Sequence, residues 1–204
     1  ASIDPPPGGA TFGVGESITV TGSGTDLDEG TIPPGRLHWT VLLHHDVHTH
    51  PFQSGTGAGI TFAAPAPEDL AAAANSFLEV HLQAEDSGGL FSTDVRLDLQ
   101  PRKRDVTLSS VPAGARLTVN GEGVTAPATF VSWEGWGLAL GAPDQVLADG
   151  RKLAFSSWSD GGAREHLVAT PAADLARTAT FSVAGSALHV VAPCRAADTR
   201  TSGG

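Results

Sequence analysis

Leu37-His38-Trp39-Thr40-Val41-Leu42-Leu43-His44 decides the fold of this 204-residue chain. Leu37, Trp39, Val41 and Leu43 alternate with His38, Thr40, Leu42 and His44. A period of two places the first four on one face of a β-strand, and that face is wholly apolar. Trp39 follows the apolar parity and is assigned to a core. The stretch then changes character. His44, His45, Asp46, His48 and His50 bring five metal-binding or proton-transferring side chains into the next seven residues. His45 would fall on the apolar parity if the strand continued, so the chain is expected to leave the core from His44 onward. Pro51-Phe52 is expected to end the strand, with a flexible loop over residues 55–59.

Working outward, the same alternation recurs in short pieces. Residues 11–14, 17–21, 60–63, 77–84 and 90–99 read as strands, and residues 68–74 as a turn or two of helix after Pro67. On the strand at 77–84, Leu78, Val80 and Leu82 share one face, and Phe77, Glu79 and His81 the other. Asp86-Ser87-Gly88-Gly89 reads as a hairpin turn. About seven strands in about 90 residues is the count of a β-sandwich. Residues 1–9, with Asp4-Pro5-Pro6-Pro7-Gly8-Gly9, read as a linker because proline supplies no backbone donor.

Pro101-Arg102-Lys103-Arg104 marks a change of composition and a domain boundary. A second strand series follows at residues 106–109, 115–119, 129–132, 136–142, 152–158, 166–169 and 178–183. Asn120-Gly121 between apolar flanks is a strong hairpin signal. The expected fold is therefore all-β: two tandem immunoglobulin-like β-sandwich modules over 10–101 and 102–184, the second smaller. Residues 185–204 read as a tail or the start of a further module.

Composition narrows the class further. The chain holds 25 glycines and 14 prolines, as expected of short strands joined by turns. It has no apolar run of membrane-spanning length, so no membrane partner is expected. The single Cys194 excludes an internal disulfide. Ala1, with no signal-like segment, reads as the start of a mature chain or an excised fragment. Residues 1–101 carry two basic and thirteen acidic residues, against ten and nine in 102–204. An acidic first half is expected to repel nucleic acid and attract cations; the alternative reading is that acidity merely keeps the protein soluble.

Several phrases carry a resemblance. Gly22-Ser23-Gly24-Thr25-Asp26, Leu37-His38-Trp39 and Ala84-Glu85-Asp86-Ser87-Gly88-Gly89-Leu90 look like a PKD or related immunoglobulin-like module. His48-Thr49-His50-Pro51, Thr61-Phe62-Ala63-Ala64-Pro65 and Phe77-Leu78-Glu79-Val80 extend the match. Together these resemble the non-catalytic C-terminal region of bacterial secreted glucose/sorbosone (pyrroloquinoline quinone-type) sugar dehydrogenases. Ser110-Val111-Pro112-Ala113-Gly114, Trp133-Glu134-Gly135 and residues 155–162 are similar to the repeat-like β-module that follows it there. Pro193-Cys194-Arg195 looks like the opening of another extracellular module. The resemblance implies a secreted multidomain protein in which these modules accompany a catalytic domain, often one acting on carbohydrate. No part of that family's catalytic propeller is present, so its cofactor and catalytic residues do not carry over. Members of the family have cysteines beside this His region. Here His44 and Asp46 stand there, which removes a disulfide role and favours a metal.

Three candidate sites follow. His48 and His50, at i and i+2, share a strand face with Cα atoms about 7 Å apart. They suit a transition metal, zinc or copper, with His44, Asp46, Glu79 and His81 as further ligands or partners; a His-rich surface loop reads equally from the same residues. Asp26 and Asp28, joined by Asp86 from a loop at the same end of the sandwich, suit calcium; the same residues also read as an Asx-rich turn. Trp133, Trp136 and Trp158 offer flat indoles to the apolar face of a sugar, or else are core. There is no Gly-x-Ser-x-Gly and no His-Glu-x-x-His, so no catalytic residue is assigned. The expected role is a monomeric, non-catalytic accessory unit that targets a tethered enzyme to a polysaccharide or cell-surface glycan. The alternatives are a structural spacer with a bound metal ion, and a small metalloenzyme using the His cluster.

Overall fold

A computed structural model describes residues 1–6, 10–45 and 47–184. Residues 7–9, Asp46 and residues 185–204 lie outside it, and with them the expectations for Asp46 as a metal ligand, for the tail and for Cys194.

The first module is a two-sheet sandwich. One sheet orders Ser2–Asp4, Ser17–Ser23 and Gly59–Ala63. The other orders Thr11–Phe12, Val95–Pro101, Phe77–Ala84, Leu37–His45 and His48–Thr56. The first extended segment of the chain is split between the sheets. Its second piece, Thr11–Phe12, runs parallel to the module's last strand, whereas the other pairings are antiparallel. That strand order, with a buried Trp39 on the interior strand Leu37–His45, is immunoglobulin-like. Trp39 lies opposite Leu82, Val41 opposite Val80 and Leu43 opposite Leu78. All six are buried, each contributing about 1.5–3 kcal/mol of transfer free energy for a side chain of its size.

Two sequence expectations change here. Residues 1–9 are not wholly linker: Ser2–Asp4 pairs with Ser17–Ser23, because the prolines begin only at Pro5 and leave the earlier backbone donors free to join an edge. Pro51-Phe52 does not end the sheet either. His48–Thr56 folds back on Leu37–His45 as a fully exposed edge strand, with a register shift between Val41 and Leu42. An edge strand tolerates proline because its missing donor faces away from the ladder. The bulge absorbs Phe52, since Val41 faces Gln53 and Leu42 faces Pro51.

The second module is a five-on-four sandwich. Ala128–Trp133, Lys103–Val111, Leu175–Ala184, Lys152–Trp158 and Gln145–Val146 form one sheet. Glu122–Thr125, Arg116–Val119, Gly137–Gly141 and Glu165–Ala169 form the other. Its first and last strands pair in parallel. The Asn-Gly signal is a two-residue hairpin: Val119 faces Glu122, and Asn120 and Gly121 sit at φ 52° and 86°. Positive φ at both central residues is the turn that matches strand twist.

Only Arg102 separates the last strand of the first module from the first strand of the second. The modules are interlocked there. Trp133, wholly buried, donates from Nε1 to Ala73 O at 2.7 Å and meets Phe12 edge-on at 5.6 Å. Val14 N donates to Glu134 O at 2.8 Å, and Lys103 Nζ to Ala74 O at 2.7 Å. Burial at this contact pulls the Lys103 ammonium below its ordinary range. Arg102 bridges Glu16 of the first module and Glu134 of the second. One buried apolar cluster includes residues of both sandwiches.

Candidate metal centre

The antiparallel register of the Leu37–His45/His48–Thr56 hairpin assembles the site. His45 faces His48 and Leu43 faces His50. Residues paired across a ladder point to the same side, so His45, His48 and His50 share the face that carries Trp39, Val41 and Leu43. They stand just past the end of the core, where the facing sheet no longer covers them. His45 is half-buried, and His48 and His50 are exposed.

One ligand nitrogen from each of the three lies within 4.8 Å of the others. His45 Nδ1 and His48 Nε2 are 3.2 Å apart. Ring centroids are separated by 5.1 Å for His45–His48, 5.4 Å for His48–His50 and 6.1 Å for His45–His50. Acidic residues of the segment before the short 3₁₀ turn Ala72–Ala74 approach from the other side. Glu68 places Oε2 3.5 Å from His45 Nδ1 and Oε1 4.0 Å from His50 Nε2. Asp69 Oδ2 is 3.9 Å from His45 Nε2, and Asp69 Oδ1 accepts the Ala72 N–H at 2.6 Å.

The sequence expectation for the ligands is thus divided. His48 and His50 come together. His44, Glu79 and His81 do not join them, because even and odd positions of a strand face opposite ways. These three meet instead on the outer face of the five-stranded sheet. Glu79, only 5% exposed, pairs with His44, with His81 Nε2 at 3.2 Å and with Arg96 Nη1 at 2.5 Å. His44 stacks on Phe77 at 4.3 Å, and His81 Nδ1 pairs with Asp94 Oδ2 at 2.5 Å. Here the carboxylate has a guanidinium beside it and is held by ion pairs. His45 takes the place expected of His44, and Glu68 that expected of Glu79. The signal for His45 was its apolar parity, which aims it at the same side as a hairpin partner. Glu68 carried no sequence signal, since only the fold brings residue 68 to the hairpin tip.

Asp26, Asp28 and Asp86 occupy the far side of the module. Asp26 Oδ1 accepts the Asp28 and Glu29 N–H groups at 2.8 and 3.1 Å, an Asx turn. Asp86 Oδ1 accepts the Leu90 N–H at 2.8 Å. Asp26 and Asp86 do line one shallow depression. Among the described residues, His45, His48 and His50 form the one group of three or more ligand side chains gathered closely enough for a single ion.

The sugar-platform expectation is corrected. Trp133, Trp136 and Trp158 are 0, 8 and 3% exposed. Trp133 is the wedge between modules, Trp136 belongs to the buried apolar cluster that both modules share, and Trp158 donates to Arg164 O at 3.2 Å and meets His166 edge-on. None turns a ring face to solvent, because the large apolar area of an indole is what a small sandwich most needs to bury.

The fold and the site define a class: an all-β chain of two interlocked sandwiches, the first immunoglobulin-like, with a three-histidine cluster at a hairpin tip. No family model and no curated protein matches the chain. Among solved structures it is similar to the crystal structure of a group B streptococcus pilus 2b backbone protein. Identity there is 9%, with 88% of this chain and 97% of that chain covered and a TM-score of 0.29. A superposition that loose transfers nothing to this chain.

Proposed function

We propose that the chain is a non-catalytic accessory unit of a secreted protein, acting as a rigid two-module spacer that holds neighbouring segments at a fixed distance and angle. The observation that carries this reading is the junction. Arg102 alone connects the last strand of one sandwich to the first strand of the next, and Trp133, Glu134 and Gly135 are inserted against the first module. A flexible tether would spend residues on a solvated linker; this chain spends a buried Trp and a bridging Arg on removing that freedom. Glycan targeting loses its main support with the burial of the three Trp residues.

Small-angle scattering tests the reading. The expected curve fits one docked arrangement of the modules, and Trp133→Ala shifts it toward a broader ensemble. A wild-type curve that requires independently tumbling modules overturns the spacer. Specific retention of the wild-type chain by a panel of polysaccharides would replace it with the targeting reading.

A further inference from the structure

We infer that His45, His48 and His50, with the Glu68 carboxylate as fourth ligand, form a site for a divalent first-row transition metal, zinc foremost, and that the metal clamps the hairpin tip to the segment holding the second module. Neutral imidazoles suit borderline cations, and a hard ion such as calcium prefers an all-oxygen set. In a tetrahedral zinc site with ligands at about 2.0–2.1 Å, ligand atoms stand about 3.3 Å apart. His45 Nδ1 and His48 Nε2 are already at 3.2 Å, and Glu68 Oε2 lies 3.5 Å from His45 Nδ1. Glu68 stands just outside the group of three histidines, so it and His50 are the ligands that must close in, and both are free to do so because they are exposed. Asp69 Oδ2 stands 3.9 Å from the second nitrogen of His45 and would have to approach by about 1 Å to orient that ring by a hydrogen bond.

The consequence lies in where Glu68 belongs. The segment from Glu68 runs directly into Ala72–Ala74, and Asp69 closes that turn through the Ala72 N–H. Ala73 O then receives Trp133, and Ala74 O receives Lys103. A metal joining His48 and His50 to Glu68 therefore ties the edge hairpin to the residues that dock the second module. This clamp rests on the spacer reading for its docked junction; the metal site itself does not.

The test uses the full chain without a histidine tag, titrated with Zn²⁺ by calorimetry and with Co²⁺ by visible absorption. One equivalent of zinc is expected to bind, with Co²⁺ giving the strong d–d bands of tetrahedral geometry. His48→Ala and His50→Ala, both at exposed positions, are each expected to weaken binding at least tenfold, and Glu68→Gln to weaken it less. In hydrogen exchange, zinc is expected to slow the Asn75 and Ser76 amides, which bond to Ala72 O, in wild type and not in His48→Ala. No stoichiometric binding, or binding indifferent to His48→Ala and His50→Ala, overturns the site. Stoichiometric binding without slower exchange at residues 75–76 overturns the clamp. Scattering of the metal-free chain separates the two ideas: one docked shape with no zinc binding keeps the spacer and removes the metal.

Discussion

Three residues carry most of what distinguishes this chain. Trp133 fills the seam between modules, and truncating it removes both a buried indole and the donor to Ala73 O. Trp133→Ala is expected to cost about 3–5 kcal/mol, the range for large aromatic truncations in cores, measured by denaturant unfolding. Gly135 sits at φ 84° with Val14 O 2.8 Å from where a Cβ would stand. Gly135→Ala is therefore strained twice, by its backbone and by the first module's carbonyl. We expect it to destabilise by at least about 1 kcal/mol and to loosen docking before either sandwich unfolds, which limited proteolysis near residues 102–104 would read. His45 is the third. Its parity is that of Trp39, yet it stands beyond the core, where an imidazole can keep its nitrogens near water.

At the scale of elements, the hairpins set the geometry. The Asn120-Gly121 turn needs left-handed backbone at both central residues, and Asn120 Oδ1 also accepts the Ala139 N–H at 2.8 Å. Asn120→Ala loses that bond and pays the left-handed cost of an ordinary residue. Together these are expected to lower stability by about 1–3 kcal/mol, or a melting temperature lower by about 2–4 °C for each kcal/mol in a chain this long. The Leu37–His45/His48–Thr56 hairpin shows the opposite economy. Pro51 and its bulge leave an exposed edge irregular, which discourages another chain from adding a strand, and the same fold-back places His48 and His50 beside His45. An element read as a strand end followed by a loop is in fact one ribbon, because proline at an edge costs little.

Across the whole molecule, the junction is electrostatic as well as apolar. Arg102 donates to both Glu16 and Glu134, and these bonds hold both carboxyls below their ordinary value of 4.5. Arg104 adds a bond to Glu134 at 2.9 Å. A carboxyl whose folded pKa is depressed contributes stability that is complete above its unfolded pKa and is lost as pH falls below it. With respect to these carboxyls, the docked arrangement is therefore expected to be indifferent to pH between about 5 and 7 and to loosen under acid conditions below about 4. Scattering or proteolysis across that window checks the direction, and Glu16→Gln should flatten the response. Outside the junction, Glu29 is held down to about 2 by its bonds to Ser87 first and then to Arg36, so those bonds are expected to be lost only under strongly acidic conditions.

The sequence by itself determined the all-β class, most of the strands and the inward face of Leu37–Leu43. Those are local properties: period-two alternation, turn chemistry and proline position act within a few residues. It also singled out the His-rich stretch, through composition alone. Only the tertiary structure decided which histidines meet. Cross-strand register pairs His45 with His48 and turns His44 away to Glu79, and register is set by which distant strand buries which face. The same holds for Glu68 and for Trp133. Their partners lie decades of residues away along the chain, and a side chain's use as ligand, wedge or platform depends on what the fold places opposite it.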